Sequence, residues 1–424
     1  MGFPRVSETF IASEIHRVER AGVPLKLFVI KPVEAREQGH DHPVLDAIVA
    51  RPEYLPDPVG LTKPMHRWRW RDVRAFAPAF ERCARRRPHG VARATSTAFA
   101  QAFRDRRSRF SGPRKLYVKE LIQAVTLADR LLQEPDVRHL HAHFAHGTTT
   151  ITWLAACIAG LPFSFTGHAR DIYAPELNPK GWLRRKLNAA RFVVTCTEAN
   201  VRHLRALAPK ARVHLVYHGL SADFTTLLRA DRPHPQTNGK LRVLGVGRLV
   251  AKKGFDTLVD ACAVLRERDI PFEALIVGQD DKDGEQLRAH IAARGVHVAL
   301  PGPVGPAALL DEYRRAGALC MPSRLLPNDR DGIPNVLVEA MAVGAPVVAT
   351  NVSGIPELVE DEVNGLLVEP DDPHALAEAL IRLHEDKPLA RRLTDNGRAT
   401  VRERFDGERL AEDLAALFRE AIAR

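Results

Sequence analysis

The chain has 424 residues, more than one hydrophobic core usually serves, so its length predicts two domains. It is 45% hydrophobic and 27% charged, which is typical of soluble globular proteins and excludes a wholly disordered chain. The cysteines are odd in number and have no paired spacing, which excludes a disulfide scaffold or zinc ribbon; they are Cys83, Cys157, Cys196, Cys262 and Cys320. This indicates a reducing compartment, and the start carries no signal-peptide pattern, so we expect a cytoplasmic protein.

Short β-rich apolar runs alternate with helical patterns in the first half, as in parallel α/β units. The predicted strands are residues 25–30, 136–143, 163–166, 192–196 and 213–216, and the predicted helices are 7–21, 148–159, 180–190 and 198–206. The first helix has no strand ahead of it, although a Rossmann-like domain normally opens with a central strand. Either the domain lacks that strand or the assigned start codon lies downstream of the true one, and we favour the second.

Basic residues are concentrated in one insertion, residues 51–115. It holds 17 lysine and arginine residues against 5 acidic ones, a balance of +12, whereas the whole chain is +10. Cations and indoles alternate within it from His66 to Arg71, a pattern that suits anionic lipid headgroups. The same charge could bind nucleic acid, or it could simply form a solvated helical face.

The second half repeats the α/β alternation after a polar, proline-rich stretch. The predicted strands are residues 241–246, 273–277, 296–300, 318–322 and 346–349, and the predicted helices are 255–268, 285–293, one after Pro306, 335–343 and a helical tail from Pro373. We therefore predict an N-terminal domain (1–228), a linker (229–240), a C-terminal domain (241–404) and a C-terminal helix (405–424). The predicted architecture is two doubly wound, Rossmann-like domains that face each other across a cleft.

A glycine loop joins the first strand and helix of the second half. It runs from Gly247 through Arg248 to Lys253 and Gly254. Glycines let the backbone approach a ligand, and cations near a helix N-terminus can neutralise a diphosphate. A strand-to-helix turn with lysine is also often only solvated, so the motif alone leaves both interpretations open.

A second motif runs from Asp331 through Gly332, Ile333 and Pro334 into the predicted helix at 335–343. Proline suits the start of a helix and leaves main-chain amides there exposed to bind anions. The motif contains two acids: Asp331 lies in the loop before the helix, and Glu339 lies about one turn into it. The two carboxylates could therefore contact two ends of one ligand. An acid near the positive end of a helix is also common without any function.

The two motifs, in this order, resemble family 4 of the retaining glycosyltransferases, which have the two-domain GT-B fold. The resemblance covers nearly the whole chain, including residues 345–359 and 364–368. The family's loop cations match Arg248 and Lys253, and its two acids, separated by seven residues, match Asp331 and Glu339. The first acid is usually glutamate in the family, and aspartate is one methylene shorter.

The resemblance implies transfer of a sugar from a nucleotide diphosphate sugar to an acceptor hydroxyl, with retention and without a metal or other cofactor. The catalytic residues that it implies are His168, Arg248, Lys253 and Asp331. The donor-binding residues are Gly247, Gly332, Ile333, Asn335, Val336 and Glu339, with Val304 in a loop near the base. Glu339 is expected to bind the ribose and Asp331 the sugar.

Residues 163–173, which include His168, are similar to the strand-end histidine segment of these enzymes. Residues 3–10, which include Ser7, look like the first strand-to-helix loop of a subgroup assigned to exopolysaccharide and lipopolysaccharide assembly. That subgroup implies a lipid-linked saccharide acceptor. We therefore expect peripheral binding to an anionic membrane on its inner face, and no nucleic acid.

Four histidines cluster near a predicted strand end: His139, His141, His143 and His146. The first three share one face of the strand, so a metal site is conceivable. No cysteine or further carboxylate is close in sequence, and the family is generally metal-independent, so we predict no metal site. We assign His143 and His146, with Ser7, to acceptor contacts.

Three alternatives remain open. The chain could be a nucleic-acid-binding protein that uses the basic insertion. It could be a hydrolase or epimerase of nucleotide sugars on the same fold. It could also be a non-catalytic relative, because Asp331 is shorter than the usual glutamate.

Overall fold

The computed structural model describes residues 9–30, 43–56, 74–108, 110–220, 224, 228, 239–327 and 331–423. Its contacts divide the chain into two compact units. The first contains Met1–Cys196, Asn200–Val216 and Glu408–Arg424, and the second contains Thr197–Ala199 and Tyr217–Gly407.

The first unit has two parallel sheets. Strands β1 (Leu27–Val29) and β2 (Pro52–Tyr54) pair with each other. The second sheet has the order β3-β4-β5-β6, formed by Leu140–His143, Phe163–Gly167, Val193–Thr195 and Val213–Leu215. Within the described residues the two sheets are not hydrogen-bonded to each other.

Helices cover these sheets. Those that lie wholly or mainly in the first unit are Thr9–Arg20, Pro43–Ala47, Ala77–Arg86, Pro88–Arg104, Lys115–Leu131, Gly147–Ala159, Ala169–Tyr173, Trp182–Ala189, Glu198–Leu207 and Gly407–Ala423. The core lies beneath β3, β4 and β5 and contains Leu154, Ile158, Phe165 and Val193.

The described part of the basic insertion folds into helices that pack against this core. Helix Pro88–Arg104 lies so close to helix Gly147–Ala159 that a Cβ on Gly90 would be 2.7 Å from the main-chain oxygen of Cys157. Cys83 and Ala94 are fully buried on the same side. The insertion is therefore not only a solvated face. Residues 57–73, with the alternating indoles and arginines, lie outside the described residues.

The second unit has one six-stranded parallel sheet. Its order is β12-β11-β10-β7-β8-β9, where β7 to β12 are Leu241–Val246, Phe272–Val277, Val298–Gly302, Ala318–Met321, Val347–Thr350 and Leu366–Val368. Its α-helices are Phe255–Glu267, Gly284–Arg294, Pro306–Arg315, Asn335–Val343, Pro373–Glu385 and Lys387–Arg404. Strand β10 lies between β7 and β11, so the loops after β7 and β10 leave the same edge of the sheet side by side.

The division into units differs from the predicted domains. The first unit ends at Val216 rather than at residue 228, because Leu220, Phe224 and Leu228 pack into the core of the second unit. The predicted C-terminal helix (405–424) is present as helix Gly407–Ala423. Helix Gly407–Ala423 belongs almost entirely to the first unit, because its Phe418 packs against Phe192 and His141.

Of the helices in the described ranges, none combines the length and the hydropathy that a membrane-spanning segment needs.

Candidate functional site

The candidate site lies at the carboxyl edge of the second unit's sheet, where the glycine loop after β7 meets the loop after β10. Gly254 has a left-handed φ of +65°, and a Cβ at this position would lie 1.9 Å from the main-chain oxygen of Pro322. Only glycine satisfies both conditions. The main-chain amide of Arg324 also donates to the main-chain oxygen of Lys252 at 2.9 Å, and this hydrogen bond joins the two loops.

Two lysines of the glycine loop converge on one carboxylate. The ammonium of Lys253 donates to Oδ2 of Asp331 at 2.6 Å, and the ammonium of Lys252 lies 3.1 Å from its Oδ1. All three side chains are largely buried. The predicted pair, Lys253 and Asp331, is therefore brought together across 78 residues of sequence.

The charge balance at this trio favours the ionised carboxylate. Burial alone would raise the pKa of Asp331, but the ammonium groups of Lys253 and Lys252 outweigh it and hold that pKa below its ordinary value of 3.8. Two cations facing one anion leave a net positive charge, which suits an anionic ligand.

The main chain around Asp331 leads directly into helix Asn335–Val343. Ser353 donates its hydroxyl to the main-chain oxygen of Asp331. Pro334 has a φ of −64° and precedes the first helical residue, and no side chain caps the helix there. The first amides of this helix, at Asn335 and Val336, therefore have no side-chain cap within the described residues. Gly332 and Ile333 form the connecting turn.

Glu339 lies one turn into the same helix and is bonded to a buried tyrosine. Tyr313 donates its hydroxyl to Oε2 of Glu339 at 2.8 Å. Burial raises the pKa of Glu339, and the hydrogen bond from Tyr313 offsets only part of that effect. The sequence analysis did not identify Tyr313, since its position is set by the tertiary packing of helix Pro306–Arg315.

Arg248 is placed differently from Lys253. Its guanidinium donates to Asp281 in the loop after β8 at 3.0 Å, and its side chain is 53% exposed. The structure therefore pairs Arg248 with Asp281 at the open side of the glycine loop, while the two lysines hold Asp331. Val304, which follows β9, is half-buried against the core of this unit.

In the first unit, His168 lies at the carboxyl end of β4. Its main-chain amide donates to Oδ1 of Asp171 at 2.8 Å, and its ring lies 4.7 Å from that of Phe144. The ring of His143 stacks on the ring of His168, with 5.9 Å between the ring centroids. Nε2 of His143 is 3.3 Å from a carboxylate oxygen of Glu14. His143 and His168, two of the histidines that the sequence analysis assigned to the site, thus lie together.

His146 begins helix Gly147–Ala159 near this pair, with its ring 5.8 Å from that of Phe144. Burial and the nearby charge of Lys186 lower the pKa of His146 to about 4, so its imidazole is neutral at physiological pH. Ser7, the remaining acceptor-side residue, lies outside the described residues.

Sequence reasoning missed Lys252, Asp171 and Lys186. Lys252 lies within the glycine loop, but the family resemblance assigns a role only to Arg248 and Lys253 there. Lys186 carried a signal that could have been used: it occupies a core position of helix Trp182–Ala189, beside the buried Leu183 and Leu187. A charge on the apolar face of a helix indicates a buried polar network.

Two protein-family models match most of the chain. Residues 72–224 match the model described as Glycosyltransferase Family 4, and residues 229–400 match the model described as Glycosyl transferases group 1. A GDP-mannose-dependent alpha-(1-6)-phosphatidylinositol monomannoside mannosyltransferase of Mycobacterium tuberculosis is 30% identical over 311 residues, which are 67% of this chain and 79% of the relative. The chain belongs to glycosyltransferase family 4.

Other similar proteins extend this result. The amylovoran biosynthesis glycosyltransferase AmsK of Erwinia amylovora is 32% identical to this glycosyltransferase over 212 residues, so the match spans about half of each chain (49% and 51%). The solved apo structure of the lipopolysaccharide outer core galactosyltransferase WaaB is only 16% identical, but it aligns over 99% of this chain and 97% of its own, with a TM-score of 0.63. The fold is therefore GT-B, with two Rossmann-like units.

Proposed function

We propose that the protein transfers a sugar from a nucleotide diphosphate sugar to a saccharide acceptor, with retention of the anomeric configuration. The observation that carries this proposal is the trio of Lys252, Lys253 and Asp331 at the uncapped N-terminus of helix Asn335–Val343. It combines a net positive charge, oriented amides and a carboxylate within one site, in a chain that belongs to this family.

The chemistry requires stabilisation of the leaving group. When the glycosidic bond breaks, the nucleotide diphosphate gains negative charge and the sugar develops oxocarbenium character. We assign the ammonium of Lys253, whose side chain is largely buried, and the amides of Asn335 and Val336 to the diphosphate, because they are already oriented. Arg248 exchanges Asp281 for a phosphate oxygen when the donor binds.

The carboxylates take the other parts of the donor. Asp331 accepts hydrogen bonds from the sugar hydroxyls, and Lys252 keeps it ionised when Lys253 turns to the diphosphate. Glu339 accepts from the ribose on Oε1 while Tyr313 holds Oε2. His168 serves the reacting sugar, and His143 and His146 contact the acceptor.

We further propose a role in exopolysaccharide or lipopolysaccharide assembly, with a lipid-linked acceptor at an anionic membrane surface. Two relatives support the pathway by name: AmsK acts in amylovoran biosynthesis, and WaaB is a lipopolysaccharide outer core enzyme. The basic insertion supports the membrane part, because Phe99, Phe103 and Phe110 are exposed there beside several arginines.

The test is product analysis with a panel of labelled UDP- and GDP-sugars and saccharide acceptors. We expect a glycosylated acceptor with the donor's anomeric configuration by NMR, in excess of released free sugar, and a rate that EDTA does not change. Release of free sugar alone would favour a hydrolase. A nucleotide sugar whose sugar has one inverted stereocentre would favour an epimerase.

The matched variant is Lys253→Ala. It should lower turnover by at least about 10²-fold, because one pre-oriented charge on the leaving group is lost. Arg314→Ala, which removes a cation paired with Asp311 on an exposed helix face, serves as the control and should keep the wild-type rate. A Lys253→Ala enzyme with unchanged turnover would refute the assignment of the leaving-group site.

A further inference from the structure

A fully buried lysine lies beneath the acceptor-side histidines. Lys186 donates its ammonium to the main-chain oxygens of Ala145 and His146, at 2.8 and 3.0 Å, and to Oδ1 of Asn178 at 2.9 Å. Its charge also lies 5.6 Å from the ring centroid of Trp182. The lysine thus holds the loop between β3 and helix Gly147–Ala159 from inside the unit.

Asp171 holds the same loop from the other side. It is buried, and its carboxylate accepts from the main-chain amides of His168, at 2.8 Å, and of Ala145. Ala145 is therefore bonded through its N–H to Asp171 and through its carbonyl to Lys186. The two side chains together join the loop that contains His146 to the turn that contains His168.

The loop needs such restraint because it is strained. Phe144 has a φ of +71°, a left-handed conformation that costs a non-glycine residue on the order of 1–2 kcal/mol. In this conformation its ring packs against His168, and its main-chain oxygen accepts from the hydroxyls of Thr148 and Thr149, at 3.0 and 2.7 Å.

Stability alone does not explain the buried charges. Besides Lys186 and Asp171, helix Lys115–Leu131 contributes Glu120, which is buried and whose Oε2 has no hydrogen-bond partner among the described residues. Replacing buried ion pairs by well-packed apolar residues is often neutral or stabilising. A cluster that retains three ionisable groups and one orphan oxygen therefore points to a role other than stability.

We propose that Lys186 and Asp171 are positioning residues, which hold residues 144–147 and 167–171 in the shape that binds the acceptor and orients His168. Neither side chain touches a substrate. This inference rests on the proposed function, because it specifies how the acceptor side of that site is maintained.

The positioning role has a pH signature. Burial lowers the pKa of Lys186 to about 7, although the carboxylates of Glu120 and Asp171 act to raise it. Burial likewise raises the pKa of both Asp171 and Glu120 to about 7. Loss of the lysine's proton above neutral pH removes a donor from the loop, so the acceptor KM of the wild type should rise on the alkaline side. The side chain of the Lys186→Arg variant stays charged, so its acceptor KM should not rise on the alkaline side.

The experiment compares Lys186→Met, Lys186→Arg and Asp171→Asn with Leu187→Ala. Leu187 is buried on the same helix but has no bond to either loop, so its truncation reports the cost of general destabilisation. All proteins are assayed at temperatures below their unfolding transitions. If Lys186→Met does not fold, the test relies on Asp171→Asn, which is nearly isosteric with the wild type.

We expect Lys186→Met and Asp171→Asn to raise the acceptor KM by at least about 10-fold, since a displacement of 1 Å can cost 10²-fold. Binding of UDP or GDP should be unchanged, because it involves the second unit. Deuterium should exchange faster at residues 144–147 and 167–171 than in Leu187→Ala. The inference is overturned if Lys186→Met and Asp171→Asn keep the wild-type KM and exchange, or if Leu187→Ala changes both equally.

The two proposals fail in different ways. If the wild type transfers no sugar, the proposed function fails, but the exchange comparison still decides whether the two residues hold these loops. If the wild type is active and the exchange rates do not differ, only the positioning role is lost.

Discussion

Asp331 is the residue at which this chain departs from the pattern that it otherwise resembles, and its surroundings show how the departure is accommodated. Its side chain is one methylene shorter than glutamate, yet Lys252 and Lys253 both reach it. A single lysine would be shared between the carboxylate and the ligand. With two, one lysine can stay on Asp331 while the other is free to bind the diphosphate that we propose as part of the donor.

The trio predicts a pH-dependent contribution to stability. The folded pKa of Asp331 lies below its ordinary value, so the ionised carboxylate stabilises the fold above about pH 4. This contribution is lost as the pH falls through the lower, folded pKa. Asp331→Asn should therefore lower the free energy of unfolding by about 1–3 kcal/mol at pH 7, because two ammonium groups lose their partner.

Urea denaturation at pH 7, 4 and 3 measures this effect. The difference between wild type and Asp331→Asn should shrink towards zero at the lowest pH. A difference that stays constant across the series would mean that the lysines do not stabilise the charged form.

Much of this site could be predicted at the level of single residues. Lys253, Asp331 and the helix start at Asn335 lie in short contiguous motifs whose spacing encodes their geometry. Lys186 could not be identified in the same way, since its partners Ala145 and His146 lie 41 and 40 residues away in sequence. A local pattern records that a charge is buried but not what it binds.

Secondary-structure elements were predicted best where a run of mostly apolar residues is bounded by residues that end the element. Strand β7 (Leu241–Val246) and helix Asn335–Val343 have the predicted bounds at both ends. Strand β3 is shorter than predicted, because it begins at Leu140 rather than at residue 136. The helices of the basic insertion were not resolved individually, since their many arginines conceal a narrow apolar stripe of alanines such as Ala94 and Ala98.

The exposed face of helix Pro88–Arg104 leads to a prediction about membranes. Phe99 and Phe103 are one helical turn apart and both exposed, and Phe110 beyond the helix is 97% exposed. Aromatic rings beside arginines insert at the headgroup boundary of anionic bilayers. The double variant Phe99→Ala/Phe103→Ala should bind liposomes that contain anionic lipid at least about 10-fold more weakly at low salt.

Co-sedimentation measures this binding, with Ile422→Ala as the control, because Ile422 is an exposed apolar residue on a different helix. Wild-type binding should also weaken as salt rises, since part of it is electrostatic. If neither protein binds, or both bind equally, this helix face is not the membrane contact.

At the scale of the whole molecule, the sequence predicted two Rossmann-like domains but not where the chain leaves each one. Helix Gly407–Ala423 is amphipathic. An amphipathic pattern indicates that one face of a helix is buried, but it does not indicate which of two hydrophobic cores that face packs against. The contacts assign it to the first unit, where Arg20 pairs with Glu408 and Arg212 with Glu420. The predicted boundary at residue 228 lies twelve residues beyond Val216 for a similar reason, since Leu220, Phe224 and Leu228 pack into the second unit.

Truncation tests this assignment. Removing residues 408–424 exposes the surface that Leu410, Leu414 and Phe418 cover, which should cost the first unit about 5 kcal/mol or more. Deuterium exchange should rise in strands β3 to β6, while binding of UDP or GDP by the second unit persists.

The control is Glu412→Ala, which removes an exposed ion pair with Arg419 and should change stability by no more than about 0.5 kcal/mol. Unchanged protection of β3 to β6 after truncation would show that the helix does not support the first unit.

The path of the chain has a practical consequence for protein engineering. Apart from three residues, the second unit is one uninterrupted stretch, Tyr217–Gly407, and the first unit supplies the polypeptide on either side of it. The second unit is therefore a cassette with only two principal splice points. If this unit binds the donor as we propose, grafting the corresponding stretch of another family member between Val216 and Glu408 should produce chimaeras with altered nucleotide specificity.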